Sequence, residues 1–248
     1  MGVTGVGGSV IAEMLHGGGR RAFANDHVRR LQPDAVVRVP TQAPMVALTF
    51  DDGPDPAYTP RVLDILARHH MHATFFVVGV NANAFPALVQ RAAAEGHQVA
   101  NHTFDHPHLE QLGILTVEDE LRRAQEAITA AGAPRPTLFR PPRGFADDAV
   151  ARAAGALGLR TVYWTEALDP YLHRSLTPQA AASSVVDRLG PGSVLLVHDG
   201  GRIQAPHRPV WDRSGTVAAL PHLLAALADR GMRSVTLATL LAHETTST

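Results

Sequence analysis

Two neighbouring carboxylates, Asp51 and Asp52, end the apolar run MVALTF (45–50), and Asp55 follows in the turn GPDP. Adjacent carboxylates repel, so the pair calls for a cation or a proton nearby. His102 and His106, four apart in NHTFDHPH, offer two imidazoles. Two imidazoles and one carboxylate make a three-ligand set with open positions, suited to Zn²⁺ and a bound water. Either Asp51 or Asp52 completes that set and leaves the other free to act. Four-residue spacing predicts that the histidines meet on one face of a helical turn, and Pro107 stops any helix at His106. Alone, the histidine stretch reads as a polar surface loop. Joined to Asp51-Asp52 and to His198-Asp199, it reads as a metal site. Arg140 closes the run TLF before two prolines and is a candidate to keep a carboxylate ionised. His198 follows VLLV and precedes Gly200-Gly201, which suits an exposed acid or base.

The elements that must position these groups alternate in type. Strands are predicted over 45–50, 73–79, 97–102, 136–140, 160–165, 193–199 and 233–237. Helices are predicted over 59–70, 85–96, 116–132, 147–158, 177–189 and 215–231. Thr59 and Thr116 are expected as N-caps, Pro60 at a first helical position and Gly96 at a C-terminal cap. Strand–helix alternation implies βα units and a parallel sheet. Without a Gly-rich phosphate fingerprint after the first strand, a barrel is favoured over a dinucleotide-binding sheet. Asp51-Asp52, His102 with His106, Arg140, Trp164 with Glu166, and His198-Asp199 all fall at strand C-terminal ends, where barrels place their chemistry. Seven strands are visible, one short of an eightfold barrel.

Composition narrows the class. The chain has 248 residues, 45% of them apolar, enough for a substantial core. A formal charge of -1 gives no argument for nucleic acid or an anionic membrane as partner. The absence of cysteine removes disulfides, thiolate metal ligands and cysteine nucleophiles, and suits an exported enzyme. No stretch is long and apolar enough to span a bilayer. Residues 1–42 read as a leader and lead-in, and 43–248 as a single catalytic domain. The opening MGVTGVGGSVIAEML lacks a positive n-region and carries Glu13, while AFA at 22–24 has the form of a cleavage site. The leader is therefore either the tail of an export signal or a loosely docked segment, and the expected location is extracellular or at the cell envelope.

The ordered motifs TFDDGP, NHTFDH, FRPPRG and LLVHD resemble those of the polysaccharide deacetylase family, also called carbohydrate esterase family four. The resemblance runs from about Pro44 to the C-terminus, including the ending RSGTVAALPHLLAALADRGMRSVTL. It implies a distorted (β/α)7 barrel of the α/β class and a hydrolytic site holding a divalent metal, with Zn²⁺ favoured. It also implies removal of N-acetyl groups from an N-acetylglucosamine-containing glycan by a monomer. Carried over residue by residue, Asp51 is the general base, and Asp52, His102 and His106 are the metal ligands. Arg140 pairs with Asp51, His198 is the general acid, and Leu196 lines the acetyl pocket. The backbone N–H at Arg143 helps hold the oxyanion, and Trp164 and Tyr171 are groove aromatics. Two motifs depart from the family pattern: Arg143 stands where an aromatic is usual, and WTEALDPY replaces an acidic-acidic-aromatic run. Asp169 is the candidate to orient His198, with Glu166 competing and Asp199 and Arg213 as further candidates.

Three other readings carry their own tests. A facial triad of an iron(II) oxygenase has the same ligand types, but those proteins are usually all-β. An O-acetyl (xylan-type) esterase or a non-sugar amide or imide hydrolase would keep fold and metal and change substrate. A metal- or glycan-binding protein without turnover would need a lost catalytic group, and Asp51 and His198 are both present.

Overall fold

The computed structural model describes residues 32, 34–175, 177–204 and 210–245; of the leader and lead-in expected over 1–42, residues 1–31 and 33 lie outside the described residues. Among the described residues eight strands form one sheet: β1 (Met45–Asp51), β2 (Thr74–Val77), β3 (Gln98–Asn101), β4 (Leu138–Phe139), β5 (Arg160–Thr161), β6 (Glu166–Ala167), β7 (Val194–His198) and β8 (Arg233–Val235). Their order is β5-β4-β3-β2-β1-β7-β6, with β8 also on β1. Every pairing among these strands is parallel. Strand β1 is central: β7 lies along one edge, while β8 and β2 share the other. The helices are α1 (Thr59–Arg68), α2 (Gly79–Ala84), α3 (Pro86–Ala94), α4 (Ile114–Ala130), α5 (Asp148–Ala156), α6 (Asp169–Arg174), α7 (Pro178–Val186), α8 (Ser214–Asp229) and α9 (Leu237–Leu241). The sheet curls into a distorted (β/α)7 barrel.

The barrel is open between β5 and β6, which follow each other in sequence but do not pair. The predicted strand over 160–165 breaks there. Val162 still bonds Phe139, but Tyr163 N–H turns to Val36 O (2.7 Å) and Thr165 N–H to Val194 O (2.8 Å). Residues 36–39 lie along this seam, with Val39 N–H on Gly192 O (2.9 Å) and Val36, Val37 and Val39 buried. The stretch read as a lead-in thus packs on the barrel.

Two-residue alternation decides what faces the barrel interior. Along β1, Val46, Leu48 and Phe50 join the outer core under the helices, while Met45 and Ala47 join the inner core. Along β7, Leu195 and Val197 are outer, Val194 and Leu196 inner. Phe76, Ala100, Leu138 and Val162 mark the inner face of their strands. Continuing each alternation to the strand's end carries Asp51, His102, Arg140, Trp164 and His198 inward. The register then sets Asp51 opposite His198.

Helix starts differ in detail from expectation. Tyr58, not Thr59, is the N-cap of α1, because the Thr59 hydroxyl accepts from Asp55 N–H (2.8 Å) and donates to Asp199 Oδ2. Helix α4 starts two residues before Thr116, behind Gly113, without a side-chain cap. Gly96 does follow α3, at φ 83°, a conformation that glycine adopts without steric cost.

Candidate active site

At the end of β1 the chain turns sharply. Asp52 adopts φ 74°, in the left-handed region that costs an ordinary residue about 1–3 kcal/mol. Neighbouring segments hold it there. Asn81 donates to Asp52 O (2.9 Å) and to Arg202 O (3.0 Å). Gly200 crosses so close that a Cβ would stand 2.2 Å from the Asp52 carbonyl carbon. The turn separates the two carboxylates: Asp51 stays on the inner face and Asp52 faces the histidines.

His102 and His106 do not share a helical turn. Thr103 and His106 both have positive φ (66° and 55°), and the loop is tied by side chains. Asn101 Oδ1 accepts from Thr103 N–H, and Thr103 Oγ1 from His106 N–H. Glu120 Oε2, from α4, accepts from Phe104 and Asp105 N–H. The imidazoles meet with centroids 5.0 Å apart. Asp52 Oδ1 lies 3.2 Å from His106 Nε2 and 3.5 Å from His102 Nε2.

This geometry fits a metal ion. Donors about 2.0–2.1 Å from a tetrahedral Zn²⁺ stand roughly 3.3 Å from one another. Among the described residues, Asp52, His102 and His106 are the one such cluster of three. His102 Nδ1–H donates to Arg140 O (2.7 Å), which leaves the Nε2 lone pair facing Asp52. Burial pushes the His106 pKa down, with Asp52 opposing, which favours the neutral imidazole of a ligand. Burial acts to raise the Asp52 pKa, but the adjacent His102 and His106 side chains when protonated, with the charge of His198 adding, outweigh it and hold the carboxyl well below its ordinary range.

Asp51 faces two ways. Its Oδ1 accepts from Arg140 Nη1 (2.7 Å), and its Oδ2 lies 3.8 Å from His102 Nε2. Arg140 is fully buried and also bonds Thr49 Oγ1 (2.8 Å) and Tyr163 O (3.0 Å) over the Phe76 ring. Across the cleft, His198 Nδ1 lies 2.6 Å from Asp169 Oδ2. Burial lowers the His198 pKa, but the Asp169 hydrogen bond and charge outweigh it, and the net shift is upward. Asp51, Asp52, His102, His106, Arg143, Trp164, Leu196, His198, Trp211 and Arg213 share one cleft of about 230 Å³. A cavity of about 520 Å³ beside Gln32, Asp34, Arg152 and Arg160 gathers no such constellation.

Several candidates stand elsewhere or differently. Glu166 binds Tyr171 Oη (3.3 Å) and faces Arg188, not His198. Tyr171 is drawn to Glu166 and the outer core and does not line the cleft. Trp164 lines the cleft as a buried wall, 4% exposed. Asp199 points behind the site to Thr59. The aromatic at the rim is Trp211, which sequence reasoning missed. Its signal was a tryptophan two residues before Arg213 in the long connection after β7. Asn81 and Glu120 were also missed, because they act through backbone groups of other segments.

The fold and site define a class. The polysaccharide deacetylase family profile matches residues 38–162. A peptidoglycan-N-acetylglucosamine deacetylase of Bacillus cereus is 36% identical over 218 residues, covering 87% of this chain and 98% of that protein. A chitooligosaccharide deacetylase of Sinorhizobium fredii is 42% identical over 199 residues, covering 79% and 91%. A family 4 carbohydrate esterase from Streptomyces lividans, solved in complex with acetate, superposes with TM-score 0.67 at 35% identity, covering 77% of this chain and 92% of that one. The chain belongs to the polysaccharide deacetylase family, a family of hydrolases. Family membership and the Asp52–His102–His106 cluster together point to a divalent metal at the site. Among the described residues no helix is long and apolar enough to cross a membrane.

Proposed function

We propose that the protein hydrolyses N-acetyl groups of a glycan containing N-acetylglucosamine, peptidoglycan or chitin-like, releasing acetate and leaving a free amine. One observation carries the reading. Asp51 and His198, each backed by its own counter-ion, flank a three-donor cluster in a single cleft. The relatives named for peptidoglycan and for chitooligosaccharides supply the substrate class.

We assign Asp52, His102 and His106 as ligands of Zn²⁺, because two imidazoles and one carboxylate leave open positions on that ion. A bound divalent ion supplies Lewis acidity toward the acetyl carbonyl and acidifies water. Asp51 Oδ2 accepts the proton of the attacking water, while Arg140 holds Oδ1 and so fixes the orientation of the carboxylate. The Arg143 N–H donates to the developing oxyanion. His198 delivers its proton from Nε2 to the leaving nitrogen, since Asp169 fixes the proton on Nδ1. Leu196 gives the acetyl methyl an apolar wall. Every assigned group comes from one chain, so a monomer suffices. A polymer of the cell wall or surroundings sets the place of action at the cell envelope or outside it.

The test is acetate release from N-acetylglucosamine oligomers and from peptidoglycan. We expect release that a chelator stops and Zn²⁺ restores. Turnover confined to O-acetylated xylan would instead make the protein an esterase, and metal binding without release from any acetylated substrate would end the enzymatic reading.

A further inference from the structure

Arg213 stands where the connection after β7 enters α8, and it uses all three guanidinium nitrogens. Nε donates to Gly200 O (2.9 Å), Nη2 donates to Asp52 Oδ2 (3.1 Å), and Nη1 faces Asp169 Oδ1 at 3.5 Å. Its side chain is 11% exposed, with the Trp211 ring 5.6 Å away. One planar cation therefore spans a carboxylate of the three-donor cluster and the carboxylate behind His198.

An aspartate carboxylate is loosely held by its own torsion, because χ2 is broad. Something else must decide which oxygen faces which partner. At Asp52, Arg213 takes Oδ2 and leaves Oδ1 to His102 and His106. At Asp169, it takes Oδ1 and leaves Oδ2 to His198. Its Nε ties the same fork to Gly200, whose backbone crosses Asp52. We propose that Arg213 is a positioning residue that couples the metal-ligand carboxylate to the general acid, setting the orientation of Asp52 and Asp169 together. The inference rests on the roles assigned above to Asp52 and His198. A lysine would keep the charge but not the rigid fork, so shape separates this role from charge alone.

The experiment compares wild type, Arg213→Lys, Arg213→Met, Asp169→Asn and the Asp169→Asn/Arg213→Met double variant. Zn²⁺ affinity of the metal-free proteins is read by competition with a chromophoric chelator. Turnover at saturating Zn²⁺ is read on a chitooligosaccharide and on 4-nitrophenyl acetate, whose leaving group needs no proton. Both Arg213 variants are expected to bind Zn²⁺ about tenfold more weakly. Both should lose about 100-fold in kcat on the amide and much less on the ester. On the amide, the double variant should be little slower than Asp169→Asn alone. Melting curves identify folded variants; if Arg213→Met does not fold, Arg213→Lys carries the test. Unchanged Zn²⁺ affinity, or equal losses on amide and ester, overturns the proposal. A wild type inactive on every substrate refutes the deacetylase reading, while the Zn²⁺ titration still judges the contact with Asp52.

Discussion

Arg140 lies beneath the cleft with none of its side chain exposed, whereas Arg213 closes the rim with 11% of its side chain open to solvent. Arg140 follows a strand, takes its partners from β1 and the stretch after β5, and stacks on the inner-core ring of Phe76. Arg213 follows a loop, and two of its partners, Gly200 and Asp169, come from connections and helix starts. Both arginines neutralise carboxylates that would otherwise repel. The Asp51 side of the site is thus built wholly into the barrel, while on the other side His198 ends β7 but its partner Asp169 and the nearby Arg213 come from segments laid over the barrel.

The largest effect should come from Asp51→Asn, with kcat/KM falling about 10⁴-fold while the divalent metal stays bound. An active Asp51→Asn enzyme would remove Asp51 as the base. His102→Ala should lose metal and turnover together; an active, metal-replete variant would refute that ligand. Next in size is Arg140→Met, which strands a buried carboxylate and should cost about 3–5 kcal/mol in urea unfolding. Arg213→Met should cost about 1–2 kcal/mol. Equal costs would erase the distinction between barrel floor and rim.

A smaller effect is expected in the pH profile of Asp169→Asn. The Asp169 hydrogen bond and charge outweigh burial and raise the His198 pKa, so wild type keeps its acid protonated further into alkali. Removing that charge should move the alkaline limb of kcat/KM to lower pH. An unmoved limb would detach Asp169 from His198. Turnover should change least in Asp199→Asn, whose signature lies in stability. Burial pushes the Asp199 carboxyl up to about 7, against the Thr59 hydrogen bond and with Asp52, Asp55 and Asp51 adding to the rise. A folded pKa above the unfolded value of about 3.9 means that its stabilising protonation is complete below that value and lost as pH approaches 7. The variant should lack this slope, and melting temperatures from pH 4 to 7 that run parallel to wild type would contradict it.

Much of this was legible because strand chemistry is local. A short, largely apolar run such as MVALTF, bounded by the turn DDGPDP, reads as a buried strand, and alternation along it determines that Met45, Ala47 and Asp51 share a face. The same alternation aligned Leu196 with His198, so the sequence by itself determined which residues converge at the strand ends. What it left open from the residues alone was which aspartate meets the histidines, because that depends on φ 74° at Asp52. That angle is held by Asn81 and Gly200 from distant segments. The choice of Asp169 over Glu166, the replacement of Tyr171 by Trp211 at the cleft, and the fork of Arg213 were likewise decided only by tertiary structure. Their side chains leave from loops and helix starts, where no periodicity fixes direction, and their partners lie far away in the chain. Strand ends inherit their aim from a repeating backbone; loop residues acquire theirs only when the barrel brings the segments together.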